Sequence, residues 1–455
     1  LQSVVLTILL CAIIICAFLT ISYFVDKANI TDLDFTKDKI YSISQATKDK
    51  LENLDQKITI TTYNMYEYVE DFANKYATLN DNITVEKLEN LTSKQEWKTE
   101  YGLTDTSSFV AVETESKIKI LQDSDLYTYD YSTHEQIDIT EEAITNAILD
   151  VTTNIKPKIC ILTGHNLYND GYFQYLESSL ESEVNQVEYL NLLTAGSIPK
   201  DCKVLVITAL KNDIDKKEKD EILKYINNGG EILLLMDPNL GKIKTPNFQK
   251  ILDVYGVKNS EGFIMEANSS KMVSGAPSYI IASINTSSEL VKDINMGLNV
   301  CMMTAGKLTF ESTDELAKKN VTLETLATVS DKAFYRTDLT SSSQTKISSD
   351  ESASGATVAA MLTKTISEDK ISKLIVFSNT AFATNAQIQM GMYYRYAIEF
   401  CNNEDILLNS VSYLTEREDN ITIRKAGETV TTYDVTENQT KIILSIIFGI
   451  PVVII

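Results

Sequence analysis

Histidine is nearly missing from this chain: two in 455 residues, beside six cysteines, six prolines and one tryptophan. No Cys-x-x-Cys pair occurs, so the ligands for a zinc ribbon, a finger or an iron–sulfur cluster are lacking and structural zinc is excluded. Positive charge is short as well. The 63 acidic side chains outnumber the 41 basic ones, leaving a formal charge of -22, which repels polyphosphate and excludes nucleic acid as a partner. The chain has no Gly-x-x-x-x-Gly-Lys-Ser/Thr; Gly306-Lys307-Leu308 is the nearest string and lacks both the leading glycine and the hydroxyl that holds magnesium. It therefore carries no nucleotide-hydrolysing loop, and it has no Gly-x-Ser-x-Gly elbow either. What is present is ordinary for globular protein: 44% hydrophobic and 23% charged residues, over a length that suggests about three units.

Two uncharged apolar runs lie at the ends. Residues 4–25 read VVLTILLCAIIICAFLTISYFV, long enough to cross a bilayer core and without the small-residue cleavage site of a secretory signal. Residues 442–455, IILSIIFGIPVVII, form a shorter run of the same kind, read as the start of a second span in a piece of a longer polypeptide. Two terminal spans place everything between them on one side of the membrane. Asp26, Asp32 and Asp34 follow the first run, and Asp434 and Glu437 precede the second; this acidic flank suits the outer face better than the anionic cytoplasmic leaflet. The expected layout is a membrane helix over 1–25, an extracytoplasmic α/β domain over 26–150, a second α/β domain over 151–440, and a further membrane helix starting at 441–455.

Periodicity supplies the elements between. Ser42-x-x-Gln45 reads as a capping box, 58–63 and 83–88 alternate as strands, and Tyr66, Val69, Phe72, Ala73, Tyr76 and Leu79 recur at helical spacing between them. This β-α-β unit is similar to a thioredoxin-like half, without that fold's Cys-x-x-Cys. Further on, 158–162, 203–208 and 231–236 are continuous apolar runs separated by helical patterns, the signature of a parallel sheet buried on both faces. Asp215-Lys216-Lys217-Glu218 opens one helix and Gly229-Gly230 ends it. Residues 340–355 are polar and of low complexity and read as a mobile loop; 357–362 and 373–378 read as late strands, and 392–400 as a helix.

Leu162-Thr163-Gly164-His165, then Ile198-Pro199-Lys200-Asp201 before Val204-Leu205-Val206-Ile207, then Asn228-Gly229-Gly230 before Leu233-Leu234-Leu235-Met236-Asp237-Pro238, resemble in order and spacing the GldG family. Leu33-Asp34-Phe35-Thr36 with Tyr41-Ser42-Ile43-Ser44 resembles its entry motif, and Asn409-Ser410-Val411-Ser412-Tyr413-Leu414-Thr415 with Ile421-Thr422-Ile423-Arg424 its closing motif. The family comprises auxiliary components of a bacterial ABC transport system linked to gliding motility. The resemblance implies a membrane-anchored extracytoplasmic protein acting with a separate permease and cytoplasmic ATPase, and an α/β domain similar to those of intraflagellar transport proteins and to flavodoxin- or amidotransferase-like parallel sheets.

Cys160 sits within a strand and Cys202 just before one, which suits small core residues and not a nucleophile on a turn. No catalytic, metal-binding or cofactor-binding set emerges. In open parallel sheets ligands lodge beyond the carboxyl ends of strands, and three such ends here are polar: Thr163-Gly164-His165, Asp237-Pro238-Asn239 and Ser378-Asn379-Thr380. They form the candidate ligand crevice, with Gly164 permitting close approach, His165 offering a donor or acceptor and Asp237 a carboxylate. Such groups also commonly cap loops. His134, in an acidic loop, reads as surface. The expected function is a non-catalytic auxiliary subunit, binding substrate or coupling to the permease; the alternative is an envelope hydrolase or receptor using the His165 and Asp237 crevice.

Overall fold

The computed structural model describes residues 42–415 except 131–134, 154–155, 241–242, 259, 292–293, 295–296 and 391–392. Both apolar terminal runs and His134 lie outside the described residues, within which no helix is long and apolar enough to cross a membrane.

Strands β1 (Ile58–Tyr63), β2 (Ile83–Lys87), β3 (Phe109–Glu113) and β4 (Ile118–Gln122) form a sheet in the order β2-β1-β3-β4. β1 and β2 are parallel, as the β-α-β pattern requires, and the helix between them is α2 (Glu67–Tyr76), which follows α1 (Gln45–Leu51). The buried face of α2, Val69, Phe72, Ala73 and Tyr76, belongs to the helically spaced set read from the sequence, whereas Tyr66 stands exposed at the N-cap position and Leu79 lies past the end of the helix. The cap of α1 is Ser44, whose hydroxyl accepts from the Thr47 amide, and not Ser42. Helix α3 (Thr140–Thr152) packs Ile144, Ala147, Ile148 and Val151 into the same core. Its Glu141 is buried and accepts hydrogen bonds from the Ser44 amide at 2.8 Å and the Thr47 hydroxyl at 2.7 Å, tying α1 to α3.

The second sheet has nine strands: β5 (Lys158–Thr163), β6 (Gln186–Asn191), β7 (Cys202–Ile207), β8 (Glu231–Leu235), β9 (Tyr279–Ile284), β10 (Asn299–Met303), β11 (Val321–Thr328), β12 (Thr357–Ser367) and β13 (Lys370–Phe377), in the order β10-β9-β11-β12-β13-β8-β7-β5-β6. From β13 to β6 every pairing is parallel. From β10 to β13 every pairing is antiparallel, so the wholly parallel sheet expected from the sequence is corrected to a mixed one. The cause lies between β12 and β13. These strands run well beyond the segments legible as apolar runs and meet across Glu368-Asp369; a connection so short closes a hairpin, whereas a parallel crossover needs a dozen residues or more.

Helices α4 (Gln174–Ser182) and α7 (Asn403–Leu414) cover one face of this sheet, packing Leu176, Leu180, Ile406 and Val411 onto Ile159, Ile161, Leu233 and Leu235. On the other face, α5 (Lys216–Asn227) and α6 (Pro246–Tyr255) bring Ile222, Ile226, Ile251 and Tyr255 onto Leu162, Leu205, Leu234 and Val376. Strand β8 is buried at all five positions, as expected for a central strand between two helix layers. The expected capping box of α5 is present: the Asp215 carboxylate accepts from the Lys217 and Glu218 amides, and Glu218 reaches back to the Asp215 amide. After α5, Gly230 is obligatory because a Cβ there would lie 2.3 Å from the Tyr225 ring.

Two further expectations are overturned. Residues 340–355 are not a free loop: Arg336, 1% exposed, donates from Nε and Nη2 to the two oxygens of Asp350 at 3.0 and 2.6 Å and also holds the carbonyls of Ser343 and Thr345. In place of a helix over 392–400, Gln387–Met390 and Tyr393–Tyr396 pair antiparallel, followed by a single 3-10 turn at Ala397–Glu399; Met392 lies outside the described residues. The run Tyr393, Tyr394, Arg395, Tyr396 favours a pleated surface over a helix.

Candidate functional site

The three polar strand ends do lie along one edge of the nine-stranded sheet, but their side chains part company. Beyond β5, Gly164 adopts a φ of +105°, a region closed to most side chains. A Cβ there would also press on the Asn191 amide at 3.3 Å. The turn carries His165 to the face covered by α5. There its Nε2 lies 2.8 Å from Glu218 Oε2 and its Nδ1 2.7 Å from the Asn212 amide nitrogen. An amide nitrogen can only donate, so Nδ1 accepts and the ring proton sits on Nε2, directed at the carboxylate. His165 and Glu218 are 8% and 2% exposed. This imidazole holds the first turn of α5 and does not join Asp237.

Asp237, two residues past the end of β8, turns to the opposite face. Its Oδ1 accepts the Thr380 amide at 2.6 Å and, at 3.4 Å, the Asn379 amide; its Oδ2 accepts the Tyr168 hydroxyl at 3.2 Å. Burial holds the carboxyl above its ordinary value, against the lowering effect of the Thr380 and Tyr168 hydrogen bonds. The Tyr168 hydroxyl is itself pushed well up, by burial first and then by the Asp237 charge. Asn379 is saturated: its amide donates to the Met303 carbonyl at 2.5 Å, and its carbonyl accepts from Met303 and Phe382 at 3.2 and 3.0 Å. Ser378 is buried with a hydroxyl that finds no partner among the described residues. Asn239 closes its own loop through paired bonds to Ile243 at 2.6 and 2.7 Å, and Thr163 is half-buried at the end of β5.

The structure thus joins Asp237 and Asn379, leaves Thr163, Gly164 and Asn239 as shaping groups, and sends His165 elsewhere. Sequence reasoning placed Thr380 at this strand end without a role of its own and missed Tyr168. The Thr380 hydroxyl ties two more strands into the knot, donating to Leu235 and accepting from Ala209. Tyr168 forms an edge-to-face pair with Tyr172 at 5.7 Å, beside an exposed Leu167; an aromatic recurring four residues on, just after a strand end, was its only signal. Among the described residues no three His, Cys, Asp or Glu side chains converge as a metal site.

At the opposite, amino-terminal edge, a cavity of about 550 Å³ opens beside Pro199, Lys203, Tyr225 and Glu231 and reaches Cys202. Cys160 and Cys202 lie on one face of neighbouring strands in the same core, and the Cys160 thiol is driven far up by its hydrogen bond with Cys202 and by burial. Thiols held protonated are poor nucleophiles. Access separates the cysteines further: burial also pushes the Cys401 thiol up, but Cys401 is exposed whereas Cys160, Cys202 and Cys301 are buried, so native-state labelling with iodoacetamide is expected to modify Cys401 well before the other three; rapid modification of Cys160 would show that the β5–β7 core opens.

Against known proteins, the model of one family, described as an ABC-type uncharacterized transport system, matches residues 156–410, more than half of the chain. No curated protein matches. Among solved structures, the mmIFT52 N-terminal domain is similar at 13% identity and a TM-score of 0.41, covering 56% of this chain and 97% of that one. A putative ThuA-like protein from Parabacteroides merdae is similar at 11% identity and a TM-score of 0.34, covering 60% and 93%.

Proposed function

The chain belongs to the ABC-type uncharacterized transport system family, and on that premise we propose that it is a non-catalytic, extracytoplasmic auxiliary subunit of the GldG type, anchored at both ends and acting with a separate permease and ATPase. Membership makes it an auxiliary component of an ABC transport system; the finer assignment rests on the residues. The observation that carries the non-catalytic reading is the parting of His165 and Asp237 to opposite faces of the sheet, each held by internal hydrogen bonds. A general acid or base must reach the atom it serves and be paired with a second group in the same space. Held by separate partners, these two do not form such a pair, which supports the non-catalytic reading over the hydrolase alternative. The Asp237, Asn379 and Tyr168 edge is retained as a binding surface.

The anchored reading rests on the two uncharged terminal runs and their acidic flanks. Reporters active only in the cytoplasm are expected to work when fused at either end and to fail within 340–355; activity from the internal fusion would overturn the topology. Mild detergent extraction from cells expressing the whole system is expected to recover the chain with a multi-span permease and an ATPase. Recovery of a solitary protein would remove the auxiliary-subunit reading.

A further inference from the structure

A carboxylate mostly withdrawn from water is ordinarily neutralised by a cation, as Asp350 is by Arg336. Asp237 is not. Its partners are the Thr380 amide, the Tyr168 hydroxyl and the Asn379 amide, all uncharged, and among the described residues no Lys, Arg or His side chain pairs with it. It keeps one edge open to solvent, and it stands at the carboxyl end of β8, a central strand of the parallel half, where ligands lodge in open sheets.

Its surroundings are aromatic. Tyr168 spends its hydroxyl on Asp237, Tyr172 meets that ring edge-on with an interplanar angle of 75°, and Tyr172 and Leu167 are 41% and 54% exposed. We propose that this corner binds an organic ammonium ion with a small apolar body, its charge against Asp237 and its alkyl groups against Tyr168, Tyr172 and Leu167. Ring faces and a carboxylate together attract an ammonium while giving no advantage to its uncharged isostere, and the net charge of -22 draws cations toward the surface. A sugar is disfavoured because recognising it takes several unspent polar groups, whereas Asn379 is saturated by Met303 and Phe382. A bare divalent ion is disfavoured because it needs several oxygen ligands, and among the described residues Asp237 belongs to no group of three His, Cys, Asp or Glu side chains that could hold one.

The proposal deepens the binding role argued above and rests on it. Its test uses the full chain in detergent micelles, with saturation-transfer NMR and titration against choline and butylammonium. The comparison probes are 3,3-dimethylbutan-1-ol, which has the shape of choline without its charge, together with glucose and calcium. Both ammonium ions are expected to bind, with the uncharged isostere about tenfold weaker. Asp237→Asn, which keeps an acceptor for the Thr380 amide, is expected to weaken choline about tenfold, and Tyr172→Ala, at an exposed ring, several-fold. The proposal is overturned if neither ammonium ion binds, if the isostere or glucose binds as well as choline, or if choline binding survives both substitutions unchanged. Co-extraction with the permease is scored separately: choline binding by a chain that extracts alone would overturn the transport reading and leave the cation site standing.

Discussion

Replacing Arg336 with methionine should destabilise the nine-stranded domain by about 3–5 kcal/mol, the usual cost of removing one member of a buried ion pair. The guanidinium makes four hydrogen bonds, two to Asp350 and two to the carbonyls of Ser343 and Thr345, while the Phe334 ring lies 5.3 Å away. Without it the Asp350 carboxylate stays buried with, among the described residues, the Ile347 amide as its remaining hydrogen-bond donor. The pH dependence follows from the direction of the Asp350 shift, which Arg336 hydrogen bonding holds below its ordinary value. A depressed carboxyl contributes stability that is fully present above the unfolded value of about 3.9 and is lost as pH falls through the folded value. The gap between wild type and variant should thus be widest near neutrality and narrow below pH ~4. Urea unfolding at several pH values measures this, and trypsin reports the loop directly, since Lys346 is exposed and its neighbour Thr345 is pinned. Faster cleavage at Lys346 is expected in the variant. A doubly apolar pair, Arg336→Met with Asp350→Leu, should recover much of the loss. Wild-type stability and wild-type cleavage in the single variant would show that the clasp contributes nothing.

That clasp marks a limit of what the sequence displays. The string from Thr340 to Asp350 looks like a solvated, low-complexity loop because ten of its residues give no reason to be ordered; a single arginine outside it supplies the reason, and nothing in a local window pairs Arg336 with Asp350. The parallel half of the sheet was legible for the opposite cause. Strands β7 from Val204 and β8 from Ile232 are uninterrupted apolar runs whose burial on both faces leaves one solution, and Asp215 with Glu218 announces α5 through purely local hydrogen bonds. β12 and β13 were visible only over their apolar stretches, 357–362 and 373–377. Their outer ends, half-buried to exposed from Thr363 to Ser367 and exposed at Lys370 and Ile371 before the buried Ser372, are rich in Thr, Ser and Lys, so the hairpin that reverses the sheet was hidden.

The candidate site divides along the same line. Strand ends can be located from the sequence, so the edge carrying His165, Asp237 and Asn379 was found. The face to which each side chain turns was not, because the period of two that fixes faces within a strand lapses in the turn after it. Gly164, with its left-handed φ, is the residue that redirects the chain before His165.

His165→Ala tests that assignment and should cost roughly 2 kcal/mol of unfolding stability, although a histidine just past a strand end would ordinarily be thought dispensable. A hydrogen bond to a charged group contributes about 1.5–3 kcal/mol, and losing the donor strands its partner. Glu218 is 2% exposed, and its Oε1 already lacks a partner among the described residues. Removing the imidazole would leave the carboxylate with the Asp215 amide as its remaining donor, on Oε2. The defect should then spread into the first turn of α5, where Asp215 and Glu218 cap each other. Hydrogen exchange provides the local reading: amides of residues 215–222 should lose protection, while those of β1 to β4, which belong to a separate core, should not. Glu218→Gln should be milder than His165→Ala, since it removes the buried charge while an amide oxygen still accepts from His165 and Asp215. If His165→Ala leaves stability within about 0.5 kcal/mol, the range of surface substitutions, and α5 stays protected, then the imidazole is spare. The separation of His165 from Asp237 would in that case no longer weigh against chemistry at this edge.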